Sequence, residues 1–509
     1  MGKAVSGFDS VKYSLKVGRE VGFGRFLKSV ASKNTCKTCA YGMGGQKGGV
    51  RNEAGNFPEV CKKSLQAQLT DLQPAIPDEM MTLPLEELRR LSPRELERLG
   101  RLNSPLLKTP EHNHYRVIDW DEAMSRVGER FSQTEPDRAF FYSSGRSSNE
   151  AAFLLQIFAR VFGTNNVNNC SYYCHQASGV GLAKTIGSGT ATVVLDDVRQ
   201  ADMIWVIGAN PASNHPRFMT ELLHCRRRGG KVIVINPLKE PGLVKFKVPS
   251  DWRAMLLGDC EIASTYVQPN VGGDIALLKG VAKCLISRGW VHDEFVANQT
   301  EGSEDFLDYV GETSWRDIVH SSGVDRSTIE ELAQRYVHAE KVIFAWAMGI
   351  THHEHGVENV QSIVNLALLR GMVGKPHAGL LPLRGHSNVQ GVGSVGVTPA
   401  LKRGVMDKLE SELGITMPER TGIDTMQCMR SSLNGEIDLA YLQGGNLYAA
   451  NPDSSFSERA LNSIPFKVFL TTTLNASHVN ATEGECVILP VAARDEEKQA
   501  TTQESMFNF

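Results

Sequence analysis

The sequence predicts a multidomain α/β protein built on buried parallel sheets. Apolar runs of about six residues recur from residue 139 onward, each closing on Gly, Asn, Pro or a polar loop, and helical periods fall between them. Runs that are apolar throughout, rather than alternating, mark strands covered by helices on both faces. A length of 509 residues corresponds to about three domains. Composition agrees, since 41% hydrophobic and 22% charged residues are ordinary for a globular chain. The net charge of −3 argues against a nucleic-acid or anionic-membrane partner. No run of about 18 apolar residues is present, so no membrane insertion is expected. The start lacks the apolar core of a secretory signal, so a cytoplasmic location is expected. The ten cysteines then read as thiols or metal ligands rather than disulfides.

Residues 1–35 are basic and contain glycine, with little periodicity. Residues 36–61 are rich in Gly and hold three cysteines, and read as loops around something small. Residues 76–99 read as helical, with Ser92, Pro93 and Glu95 forming a helix start. Asp119 to Glu122 reads as a second capping box, leading into Met124, Val127 and Phe131 on one helix face. Strands are expected at 139–144, 203–208, 231–236, 342–348, 439–443 and 466–472, with a helix at 149–163. The last residues, Glu504 to Phe509, read as apolar and strand-like rather than as a solvated terminus.

One internal echo bears on function. The strand before Gly208-Ala209-Asn210 and the strand before Gly444-Gly445-Asn446 end alike. Ligands of open α/β sheets sit beyond the carboxyl ends of strands, and glycine there admits a phosphate to the backbone. Two such endings point to two nucleotide-like ligands, or to two ordinary turns.

Four other constellations could carry chemistry. Cys36-x2-Cys39, with Cys61 further on, offers thiolates for zinc or an iron–sulfur cluster, or else free thiols in a loop. Cys174 beside His175 offers a thiolate nucleophile or metal ligand next to a proton acceptor near a helix N-terminus, where a thiol pKa falls. The alternative is a buried cysteine with a satisfied core histidine. The loop from Gly208 to Pro216, with His215, and the loop from Arg384 to Gly391 are polar; the arginine suits anion recognition. The cluster His352, His353 and His355 reads as a polar helix start rather than a metal site.

Taken together these segments resemble the molybdopterin-guanine-dinucleotide oxidoreductases, in particular the formate dehydrogenase alpha-like branch. The resemblance rests on WDEA at 120–123, YCHQAS at 173–178, IGANPASNHPR at 207–217, GMVGKPHAGLLPLRGHSNVQG at 371–391 and VILP at 487–490. It implies an N-terminal iron–sulfur region over 1–100 and an α/β domain from 101–165 plus 388–509. Into that domain a second one, about 166–387, would be inserted. Each would bind one dinucleotide of a molybdenum bis(molybdopterin guanine dinucleotide). The chain would stop short of the family's C-terminal barrel-like domain.

The resemblance further implies that Cys174 ligates molybdenum, that His175 handles the substrate proton and that Arg384 holds a small anionic substrate, formate above all. Lys63 would lie between cluster and pterin. Gly208, Asn210, His215, Asn236, Asp274, Gly349, Asn388, Gln390, Gly391, Gly445 and Asn446 would line the dinucleotides. Cys36, Cys39 and Cys61 would hold the cluster. Met43 stands at the family's third cysteine position, and a thioether is a poor iron ligand. A four-iron cluster with an outside ligand, a three-iron cluster and zinc therefore stay open. Electrons would leave through the cluster to an electron-transfer subunit. A molybdoenzyme reducing an oxyanion or an N- or S-oxide, and a non-catalytic electron-transfer scaffold, are the rival expectations.

Overall fold

The computed structural model describes residues 5–36, 39, 48–258 and 260–507. Met43 lies outside them. The chain folds around two sheets. The larger runs in the order Arg116–Val117, Leu106–Lys108, Glu485–Pro490, Phe466–Thr471, Leu439–Gln443, Ala139–Ser143, Val167–Asn169. Its last five strands are parallel, and the two at the other edge are antiparallel. The smaller is wholly parallel, in the order Gly379–Pro382, Val342–Trp346, Met203–Ile207, Lys231–Ile235, Thr265–Val267.

The uninterrupted apolar runs have their explanation in the core. In the strand Met203–Ile207, Met203, Trp205 and Ile207 enter one cluster while Ile204 and Val206 enter the cluster on the opposite face. Phe140 and Tyr142 divide from Ala139 and Phe141 in the same way in the larger sheet. Both faces are dry, so both parities must be apolar.

All strands of the smaller sheet fall between two strands of the larger one, Val167–Asn169 and Leu439–Gln443. The expected inserted segment begins a few residues too early at 166, because Val167–Asn169 pairs with Ala139–Ser143. Residues 76–99 form three short helices, Asp78–Met81, Leu85–Arg89 and Pro93–Arg98, not one. Pro84 and Pro93 explain the two breaks, as each lacks the N–H that would continue a helix. Ser92 and Glu95 complete the capping box. At Asp119 only half of a box forms: its carboxylate accepts from the Glu122 N–H, while the Glu122 side chain pairs with Arg116. The buried face of that helix is Ala123, Val127 and Phe131, and Met124 points outward. Residues 8–30, read as aperiodic, form the helices Phe8–Val21 and Phe23–Val30. Residues 504–507 form no strand; Met506 and Phe507 are instead buried against one face of the smaller sheet. Among the described residues no helix is long and apolar enough to cross a membrane.

Candidate functional site

The chain passes between the sheets at 170–175 after Val167–Asn169 and again at 383–388 after Gly379–Pro382. Cys174, His175 and Arg384 all lie on these crossings, and all are buried. His175 joins the two. Its Nε2 lies 3.0 Å from the Leu383 carbonyl, an acceptor only, so Nε2 carries the proton. Nδ1 then accepts from the Ser178 hydroxyl at 2.9 Å, and that oxygen accepts from the Trp346 indole N–H at 2.9 Å. Burial, with Arg384 nearby, pushes the His175 pKa down to about 3. The imidazole is neutral, as a proton acceptor must be, but both its nitrogens are engaged. Taking a proton requires giving up the Ser178 bond.

Cys174 ends a short turn, Cys170–Tyr173, and His175 caps the helix Gln176–Ile186. The Cys174 carbonyl accepts from the Thr351 hydroxyl at 2.7 Å, and the Tyr173 carbonyl accepts from His352 Nε2 at 2.5 Å. His352 thus holds the cysteine loop, a role its reading as a polar helix start did not contain. The helix terminus does not lower the thiol. Burial raises the Cys174 pKa to about 11, against the Arg384 charge and the Gly385 N–H. A metal at that sulfur would reverse this, since a coordinated thiol is deprotonated. Arg384 donates from Nη2 to the Gly189 carbonyl at 2.9 Å, and its own carbonyl accepts from His215 Nε2 at 2.6 Å. Cys170 lies close by, taking a bond from the Gly145 N–H (3.1 Å) with His386 Nδ1 at 3.5 Å.

The Gly-Asn echo holds in three dimensions. Gly208 and Gly444 both take positive φ, +55° and +67°. Asn210 and Asn446 cap the four-residue helices Pro211–Asn214 and Leu447–Ala450, accepting from the Ser213 and Ala449 N–H groups. Each loop stands where its sheet's strand order reverses. In the smaller sheet the chain adds strands to one side of Met203–Ile207 and then, from Val342–Trp346, to the other. In the larger the reversal lies between Ala139–Ser143 and Leu439–Gln443. Ligands of open α/β sheets bind at such reversals. At the first, Gly349 donates to the Gly208 carbonyl (3.0 Å), and a Cβ on Gly349 would fall 2.6 Å from that oxygen. These two glycines are required by each other. At the second, Gly444 and Gly445 close on Ser144. Ser144, Gly145 and the exposed Arg146 belong to this site and were missed, although the strand ending SSGR repeats the strand–glycine signal.

The other expected lining residues divide. Asn236 bridges to the Ala209 carbonyl at 3.4 Å, on the loop of the first reversal. Asp274 starts the helix Asp274–Ser287, its carboxyl raised to about 6 by burial and held back by His353. The Asn388 amide is spent on the chain: it donates to the Ser147 carbonyl and Asn149 Oδ1 and accepts from the Glu504 N–H. Gly391 is needed by the same knot, since a Cβ there would fall 2.2 Å from Asn388 Oδ1. Lys63 is exposed on the first turn of Lys62–Asp71.

A molybdenum–pterin group can be tested against these residues. Three buried polar atoms on one crossing and at the start of the helix after it, Arg384 Nε, Ser387 Oγ and Gln390 Oε1, make no hydrogen bond. Such atoms are costly unless something supplies partners. With a buried sulfur within electrostatic reach of Arg384 and two loops at strand reversals, they fit a large polar cofactor with a soft metal. The cysteines at the N-terminal end fit less well. Cys36 lies within electrostatic range of Cys61, while Cys39 packs against one face of the smaller sheet. Among the described residues no group of three or more His, Cys, Asp or Glu side chains is placed to hold a metal ion.

Fold and site together define an α/β protein whose buried cysteine, histidine and arginine lie between two sheets. Residues 101–507 match the model of the molybdopterin oxidoreductase family, and the chain belongs to that family. It is 41% identical over 414 residues to Protein YdeP of Escherichia coli, covering 79% of this chain and 54% of that protein. It is 37% identical over 406 residues to an uncharacterized oxidoreductase of Mycobacterium tuberculosis (78% and 52%). Formate dehydrogenase H of Escherichia coli is 30% identical over 398 residues (74% and 53%). The chain thus spans about half the length of these relatives. Acetylene hydratase from Pelobacter acetylenicus shares the fold, with a TM-score of 0.58 at 15% identity over 77% of this chain and 55% of that one.

Proposed function

We propose that this chain is the catalytic part of a molybdenum-dependent, formate dehydrogenase-like oxidoreductase carrying a bis(molybdopterin guanine dinucleotide). One observation supports it above the others: a buried arginine with an unpartnered Nε stands electrostatically coupled to a buried cysteine on the two crossings between the sheets. The two strand reversals support two dinucleotides rather than one. When bound, the metal would supply the two-electron chemistry. Cys174 would hold it through sulfur. The Arg384 guanidinium would fix a small carboxylate, its fork matching two oxygens. His175, kept neutral by burial, would stand beside that carboxylate and take a proton at Nδ1 once Ser178 yields it. Burial of all three excludes water from the reacting carbon. The N-terminal cysteines have no part in these steps.

Formate-dependent reduction of a viologen dye, by protein matured in a host that makes the cofactor, tests the reading. Turnover with formate supports it. Full molybdenum content with no turnover of formate, but activity on an oxyanion or an N- or S-oxide in the reductive direction, overturns it.

A further inference from the structure

The helices Phe8–Val21 and Phe23–Val30 carry a surface that the functional reading does not use. Phe8, Leu15, Phe23 and Leu27 are 59%, 57%, 52% and 60% exposed. On the first helix the exposed residues Phe8, Val11, Lys12, Leu15, Lys16 and Arg19 recur at spacings of three and four, which places them on one face, with the exposed Asp9 and Glu20 at its edge and Glu20 paired to Arg98. The opposite face, with Tyr13 and Val17, is held against the helix Lys62–Asp71. On the second helix the exposed Phe23 and Leu27 share one face with the half-buried Phe26 and the buried Val30, while Arg25 and Lys28, also exposed, fall on the other side. The helix pair therefore presents exposed apolar side chains flanked by exposed cations.

The neighbouring surface continues the pattern. Gly7 lies against Lys247 and Met255. The helix beside it, Trp252–Leu256, exposes Trp252 (63%) and Leu256 (73%), with Arg253 over the indole at 5.5 Å. Lys62, at the start of the supporting helix, is exposed and stacks on the Tyr13 ring at 5.2 Å. Residues 1–35 hold seven Lys and Arg against two Asp and Glu, an excess of five positive charges. The whole chain carries −3, so residues 36–509 carry −8. The global charge that argues against an anionic surface conceals a basic end on an acidic body.

We propose that this helix pair docks the protein on the surface of an anionic phospholipid bilayer, lying in the interface without crossing it. Exposed Phe, Leu and Trp gain by entering the headgroup boundary, while adjacent Lys and Arg reach the phosphates. A second copy of the chain is a poor occupant, since a twofold contact through this face would set one cationic stripe against another. An uncharged apolar partner would leave the cations desolvated and unpaired. A surface that is apolar beneath and anionic above satisfies both kinds of side chain.

The test is co-sedimentation of the full chain with vesicles of phosphatidylcholine alone or with one quarter phosphatidylglycerol. Binding is expected only to the second, and it should weaken steeply as salt shortens the reach of the charges. The variant Lys12→Glu, Lys16→Glu, Arg25→Glu, Lys28→Glu should lower the partition coefficient by about 600-fold or more, each basic residue contributing roughly fivefold. The variant Phe8→Ser, Leu15→Ser, Leu27→Ser should lose binding with its charge unchanged. All seven side chains are exposed, so both variants should keep the wild-type circular dichroism and elution volume. Equal binding to both vesicles, no binding to either, undiminished binding by the charge-reversed variant, or capture of an acidic protein with vesicles left unbound would each overturn the proposal.

Discussion

Ser178→Ala tests whether the candidate site is held by the chain Trp346–Ser178–His175. Ser178 and Trp346 are fully buried and His175 is 1% exposed, so no water replaces the lost hydroxyl. Its removal strands two polar atoms, the Trp346 indole N–H and His175 Nδ1. A buried group left without its partner costs about 1–3 kcal/mol, so the two together cost about 2–6 kcal/mol. Trp346→Phe removes the indole donor in advance. In the double variant one of the two stranded atoms no longer exists. The double variant should then be less destabilised than the sum of the singles by about 1–3 kcal/mol. Urea unfolding followed by indole fluorescence measures both quantities, provided the slope with denaturant is unchanged. Loss of less than about 0.5 kcal/mol in Ser178→Ala, or strict additivity, would refute the hydrogen-bonded chain as the element that fixes His175.

Three further outcomes are expected. Arg384→Lys in cofactor-loaded protein should raise KM for formate about tenfold or more, since a charge-assisted bond contributes about 1.5–3 kcal/mol and an ammonium has no fork; an unchanged KM removes the arginine from carboxylate binding. Gly349→Ala should lower stability by about 1–3 kcal/mol, because its Cβ meets the Gly208 backbone at 2.6 Å with nowhere to move, and an unchanged Tm would show that the two loops are not in contact. Stability of the apo chain should fall as pH drops below about 6.5. His175, His215, His386 and His478 are all depressed in the folded state, so the unfolded chain takes up their protons first. Asp71 and Asp274, raised to about 6, act the other way and near pH 5 offset about two of the three protons at His175, His386 and His478, while His215 adds to the loss in the same direction. The net loss is at least about 1.4 kcal/mol per pH unit, and a flat profile of urea midpoints between pH 7 and pH 5 would contradict it.

Much of the scaffold was legible because its strands are dry on both sides. The run MIWVI at 203–207 can be little else than a buried parallel strand. The Gly-Asn echo was legible for a related reason, as a helix cap after a buried strand needs a short polar side chain and a left-handed turn before it. What stayed hidden depends on contacts remote in sequence. Nothing local to Asn388 reveals that its amide is consumed by Ser147, Asn149 and Glu504. The thiol of Cys174 was expected low from its helix end, and burial decided otherwise. Met124 matched the helical period as well as Ala123 does, and only the sheet beneath chooses between them.

X-ray absorption at the molybdenum edge, on matured wild-type protein and on Cys174→Ser, bears most directly on the claim that the buried cysteine between the sheets is a metal ligand. Wild type should show molybdenum in a sulfur-rich shell, and the variant should lose one sulfur scatterer while keeping its fold. Superimposable spectra from the two proteins, or wild type without molybdenum, would contradict it.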